Sequence, residues 1–137
     1  MVYEPQGGVF GRFRADAIER DAVRVVGSED VRWPLVHSED RAALYRSALE
    51  ASAPGETYLG AAIEGLPVGR IARIFARRFG TRHLDPEVIS EDQIAAELGE
   101  WARGYVLDQR QCGDKARRCL GWEPKHLDPE REIASTA

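Results

Sequence analysis

The chain has 137 residues, 43% of them hydrophobic and 31% charged, with 19 Lys and Arg against 23 Asp and Glu for a formal charge of −4. That length suits one domain, and the acidic balance excludes an electrostatic argument for nucleic acid. No apolar run approaches the roughly 20 residues of a membrane span, and the amino terminus carries no apolar signal core, so a cytoplasmic chain without membrane contact is expected.

Residues 1–8 read as an opening loop, with Pro5, Gly7 and Gly8 as breakers. From Val9 to about Asp21, Phe10, Phe13 and Ala17 recur at helical spacing beside Val9 and Ile18. Val23–Gly27 is a β-branched run that reads as a strand, and Gly27–Asp30 is its turn. A short extended stretch, Trp33–His37, leads to Ser38-Glu-Asp40. Ser38 is expected to cap a helix there, with Glu39 and Asp40 at its positive end. That helix should run to Ala51 and bury Ala42, Tyr45 and Leu49, with Leu44 and Ala48 alongside. Pro54-Gly55 breaks it, and Glu56–Gly60 reads as a strand.

Pro67 suits the first turn of a helix over Val68–Phe79, whose apolar stripe is Val68, Ile71, Ile74, Phe75 and Phe79. Ser90-Glu-Asp-Gln93 matches a capping box. Behind it Ile94, Leu98, Trp101 and Tyr105 repeat at helical spacing, and Gly99 and Gly104 weaken that helix without ending it. A helix over Gly113–Leu120 stops at Gly121, and Pro129–Ser135 reads as a last turn or short helix in a partly mobile tail from residue 125 to 137.

Metal-ligand spacing is absent from the linear sequence. Cys112 and Cys119 lack the close pairing of a zinc site, and His37, His83 and His126 are scattered. The expectation is no metal, and two free, partly buried thiols.

Three segments carry a family resemblance. They are Val2-Tyr-Glu-Pro-Gln-Gly-Gly8, Gly27-Ser-Glu-Asp-Val-Arg-Trp-Pro-Leu-Val-His-Ser-Glu-Asp-Arg-Ala42, and Asp108-Gln-Arg-Gln-Cys-Gly-Asp-Lys-Ala-Arg-Arg-Cys-Leu-Gly-Trp-Glu-Pro124. In this order they resemble the carboxy-terminal part of extended short-chain dehydrogenases, the NAD(P)-dependent epimerase/dehydratase family. The family patterns are V-Y-G-P-x-G-G, G-x-G-x-x-R-W-P-x-V-H-V-D-D-x-A, and a K-A-x-x-x-L-G-W helix leaving through W-x-P. Glu4 and Glu29 stand where that family has glycine, Arg41 where it has an apolar residue, and Cys112 where a capping serine is common.

The resemblance implies a single truncated α/β domain over residues 1–137. It would be a helix-rich substrate-binding lobe with a few short strands, lacking most of the Rossmann sheet. It implies a small-molecule substrate, met by Tyr3 and Phe10 on the pocket side, by Arg32 at a phosphate-contacting position, and by His37 of the V-H-V motif. Each has a plainer reading: core aromatics for Tyr3 and Phe10, a surface pair with Glu29 or Asp30 for Arg32, a structural histidine for His37.

Neither a G-x-G-x-x-G loop nor a Tyr-x-x-x-Lys pair occurs in the sequence, so no cofactor is expected on this chain alone, although the family uses NAD(P). Activity would then need a separate amino-terminal lobe, and an exposed apolar face would recruit that lobe or a second copy. The alternatives are a stand-alone binding module, or a cofactor-free isomerase or cyclase in the old pocket, marked by an acid or base of shifted pKa.

Overall fold

The extended stretch before Ser38 forms the central strand of the molecule, β4 (Arg32–His37). The computed structural model describes residues 1–4 and 7–135. Strand β1 (Val2–Glu4) lies parallel to β4, with Val2 opposite Val36 and Tyr3 opposite His37. On its other side β5 (Ile63–Pro67) runs antiparallel. Strand β2 (Gly7–Gly8) adds to β1, which gives the order β2-β1-β4-β5. Pro34 sits inside β4 and has no N–H for a ladder. The β4–β5 register shifts between Trp33 and Leu35, and the Pro34 carbonyl accepts from the Met1 ammonium. A second sheet pairs β3 (Arg24–Val26) in parallel with β6 (Glu87–Ile89). The fold is thus α/β and helix-rich, with only short strands among the described residues.

Helices α1 (Gly11–Arg20) and α3 (Val68–Phe79) pack together over the sheets. Phe13 and Ala17 from α1 meet Val68, Ile71, Ala72 and Phe75 from α3, and Tyr3, Phe10, Trp33 and Leu35 complete the main core. Its rings touch in sequence: Tyr3 on Phe10 at 5.4 Å, Phe10 on Phe75 at 5.5 Å and Phe13 on Trp33 at 5.8 Å between centroids.

Helix α2 (Ser38–Ala51) has the expected bounds but a different buried face. Asp40 and Leu44 point inward, while Tyr45 is 56% and Leu49 90% exposed. The helix is fixed by its amino end, where Asp40 is anchored, and that rotation turns the 45–49 edge outward. The cap also differs: His37 Nδ1, not Ser38, accepts the Glu39 N–H at 3.3 Å.

The strand expected at 56–60 is irregular. Lys115 holds it from the side, donating to the Glu56 carboxylate and the Thr57 carbonyl. Pairing starts later, at β5, whose Gly65 and Pro67 look like breakers in the sequence. Gly65 suits the close approach there: a Cβ would come within 3.1 Å of the Gln109 carbonyl oxygen, which would have to shift by a few tenths of an ångström. Pro67 ends the strand and leads directly into α3.

The capping box of α4 (Glu91–Leu98) forms, with Ser90 and Gln93 exchanging bonds. Gly99, at φ 101°, ends that helix, and a 3₁₀ helix (Glu100–Val106) follows. The change of pitch buries Ala102 and leaves Trp101 66% exposed, off the expected stripe. Helix α5 (Asp114–Leu120) ends at Gly121, φ 60°. Of the expected tail, residues 125–135 are held: α6 (Pro129–Ser135) buries Ile133, whose carbonyl accepts from Arg78, and Glu130 pairs with Arg70. Residues 136–137 of that tail, and Pro5 and Gln6 of the opening loop, lie outside the described residues. Cys112 and Cys119 are both exposed, not partly buried: Cys112 lies before α5, and Cys119 is turned from its buried Ala116–Leu120 side.

Candidate functional site

β4 passes into α2 without a connecting residue, so His37 and the first turn of α2 share one spot on the surface of the core. Two carboxylates lie in that turn. Glu39 points to solvent. Asp40 is buried and accepts the backbone N–H of Lys125 and of His126, each at 2.9 Å. Its own carbonyl accepts the Trp122 indole N–H at 2.8 Å. Burial pushes the Asp40 carboxyl up, but the Lys125 and His126 N–H groups outweigh it and hold the group below its ordinary value. Asp40 thereby fastens residues 122–126 to α2, and Trp122 fills a small core with Val36, Leu44, Ala62, Ala116 and Leu120.

That fastening brings two histidines together. The His126 ring stacks on His37 at 3.8 Å between centroids, 18° from parallel. His126 Nδ1 faces Asp40 Oδ2 at 3.2 Å, and its Nε2 lies 3.7 Å from Glu39 Oε2. Tyr3 stands edge-on to His37 at 5.3 Å and donates its hydroxyl to Glu132 at 3.0 Å. Burial, then the Glu132 carboxylate, raises the Tyr3 pKa far above the ordinary phenol, so Tyr3 is a fixed donor.

Of the four residues picked out from the sequence, the fold gathers three: Tyr3, Phe10 and His37. Tyr3 and Phe10 are fully buried core aromatics and offer no surface to a ligand in this structure. His37 is nearly buried between Tyr3 and His126. Arg32 lies at the other end of β4, five residues away, which is about 16 Å along a strand. Its side chain is exposed, and Glu29 pairs with Arg73 at 2.5 Å instead. Arg32 does have a neighbour that the sequence reading missed. A Cβ on Gly65 would touch both Arg110 Cγ and Arg32 Cβ, so the two arginines flank Gly65. The Asp108 carboxylate accepts the Arg32 N–H at 2.8 Å, and the Arg32 carbonyl accepts the Gln109 N–H at 2.9 Å. Among the described residues the Arg110 guanidinium makes a single loose contact, 3.5 Å from Glu64.

A cleft of about 520 Å3 lies elsewhere, lined by Gly27, Glu29, Asp30, Pro67, Arg70 and Arg73. Both of its arginines are already paired, Arg73 with Glu29 and Arg70 with Glu130. A smaller one of about 240 Å3 is lined by Val2, Val36, Arg41, Leu44, Tyr45 and Tyr58, beside the exposed edge of α2. His126 escaped the sequence reading because 89 residues separate it from His37; the one signal was its position just after Trp122-Glu-Pro124.

No family model matches the sequence. The chain is 32% identical over 107 residues to an uncharacterized protein of Schizosaccharomyces pombe, a match that takes in 77% of this chain and 35% of that protein. Among solved structures, that of RMD from Pseudomonas aeruginosa complexed with NADPH superposes with a TM-score of 0.59 at 14% identity. The superposition covers 95% of this chain and 42% of RMD. The chain therefore has the fold of part of an NADPH-complexed protein, and it spans well under half of either relative. Among the described residues no helix is long and apolar enough to cross a membrane.

Proposed function

We propose that the chain is the substrate-binding portion of an NAD(P)-dependent oxidoreductase of the epimerase/dehydratase kind, inactive in hydride transfer by itself. The observation that carries this reading is how the three motif segments join. Tyr3 of the first pairs with His37 of the second across two strands, and Asp40 of the second holds Trp122 of the third. Segments that are weak signals singly become one packed unit, of a fold that an NADPH-complexed protein shares. The sequence has no glycine-rich turn to bring backbone N–H groups to a pyrophosphate. The cofactor would therefore sit on a separate lobe. The stems of Arg32 and Arg110 flank Gly65, and two guanidinium groups brought together from there would suit an anionic group of the substrate, because guanidinium forks match oxyanion geometry.

Calorimetry tests this. The chain alone should take up neither NADH nor NADPH at millimolar concentration. A chimaera joining it to the unmatched part of the fission-yeast relative should bind NADPH. In that chimaera Arg32→Ala should weaken a phosphate-bearing substrate more than a neutral one. Micromolar NADPH binding by the 137-residue chain alone would overturn the reading. A stand-alone interaction module is the second reading; it would use the same exposed Tyr45–Leu49 edge of α2 for a partner other than a cofactor lobe. It predicts a partner that binds this edge while the chimaera stays without cofactor.

A further inference from the structure

We propose that His37, Glu39 and His126 form a binding site for a divalent first-row transition metal of the zinc class, one that staples the carboxy-terminal segment to α2. The three residues each offer a ligand atom, and those atoms lie within 4.8 Å of one another. Two imidazoles and one carboxylate are a donor set that zinc accepts, leaving a fourth position for water or an anion. The residues come from both sides of a packed junction. His37 ends β4, Glu39 opens α2, and His126 is delivered by the chain beyond Trp122.

The surroundings supply the support that metal-bound histidines ordinarily have. Such a histidine turns its other ring nitrogen to a carboxylate or carbonyl, which fixes the ring and its tautomer. His126 Nδ1 lies against Asp40 Oδ2 at 3.2 Å, buried and without a well-aligned hydrogen bond, and that leaves Nε2 toward Glu39. Asp40 is itself fixed by two backbone N–H groups. His37 is held by the edge of the Tyr3 ring, and its stack with His126 keeps the two imidazoles adjacent before a metal enters.

Ligand atoms of a tetrahedral zinc ion stand about 3.3 Å apart, from bond lengths near 2.0–2.1 Å. The cluster must therefore contract, and the parts that move are the free ones. Glu39 has a side chain 76% exposed, and His126 sits on an irregular segment at 26%. His37 gives up the long 3.3 Å bond it accepts from the Glu39 N–H, and the His126 ring turns out of its parallel stack, because stacked rings cannot aim their in-plane lone pairs at one ion. The site does not depend on the cofactor reading above, since it lies wholly within this chain.

The test is zinc titration of the tag-free 137-residue chain by calorimetry, with the melting temperature recorded with and without metal. Cys112 and Cys119 are exposed and could take zinc themselves, so the titration is run on the Cys112→Ser/Cys119→Ser variant as well. Expected are one equivalent bound in both proteins and a rise in melting temperature, as for any ligand that binds only the folded state. Glu39→Ala leaves the core untouched and should lower the affinity about tenfold or more; His126→Asn should do the same. Loss of binding in the cysteine-free variant would overturn the site. So would uptake that survives both Glu39→Ala and His126→Asn, or no saturable uptake at all.

Discussion

Asp21 ties the end of α1 to the chain that follows α3. It adopts a left-handed conformation, φ 61°, and its carboxylate accepts from the Thr81 N–H, the Thr81 hydroxyl and the Arg82 N–H. The Thr81 N–H, helped by the Thr81 hydroxyl and Arg82, holds its pKa well below the ordinary 3.8. A depressed carboxyl stabilises fully above its unfolded value, and that contribution fades as pH falls toward the folded value. Asn tolerates the left-handed backbone but brings no charge. Asp21→Asn should therefore melt below the parent at neutral pH, and the gap should narrow steadily as pH drops below about 3.8. A gap that is constant from pH 6 to 2.5 would show that charge plays no part. Trp122 offers a second test at this scale, with its ring buried and its N–H on Asp40. Trp122→Ala should cost about 3–5 kcal/mol in urea denaturation. A midpoint like the parent's would mean that the third motif does not hold the fold together.

Elements differ in how plainly the sequence announces them. Helix α3 is legible because Val68, Ile71, Ala72 and Phe75 keep one buried face at helical spacing, and both bounds fall as expected. The Ser90 capping box is legible because its hydrogen bonds are local. β6 and β5 are not, since a three-residue strand and a Gly-Leu-Pro strand exist only through the partners that β3 and β4 supply. The buried side of α2 is not legible for a related reason: the anchor that sets its rotation lies 85 residues away at Lys125. The same distance hid the site, whose His126 cannot be placed beside His37 by any local pattern. Gly99 shows how an element boundary can turn on one torsion. Its φ of 101° with ψ of 165° lies in a region open in practice to glycine alone. Gly104 is two turns on, inside the 3₁₀ helix, with nothing within 4 Å of an added Cβ. Gly99→Ala should lose about 1–3 kcal/mol, whereas Gly104→Ala should be neutral or slightly stabilising. Equal effects in chemical denaturation would mean that the break at Gly99 is not set by its backbone.

For the whole molecule, the question is what covers the outer edge of α2. Single exposed apolar side chains are ordinary on any surface. Tyr45 and Leu49 differ because they lie one turn apart on a helix, and Tyr45 lines a groove with Val2, Val36, Leu44 and Tyr58. Arg41 stacks on Tyr45 and hydrogen-bonds its hydroxyl, so this edge is ordered and presents a ring and a cation together. A contiguous apolar face rimmed by charge marks a contact surface or an aggregation liability. The net charge of −4 is small and gives little repulsion between copies. The isolated chain should therefore associate as its concentration rises, and sedimentation should show a weight-average mass above 15.3 kDa. Leu49→Lys adds charge at a position 90% exposed, so it should leave the melting temperature unchanged while lowering that mass toward the monomer. In the chimaera with the yeast lobe, where this edge is expected to be covered, the same substitution should loosen the joint and weaken NADPH binding. A chain that stays monomeric at millimolar concentration, with Leu49→Lys silent in both proteins, would leave the edge without a partner and remove the physical reason for a second lobe to dock there.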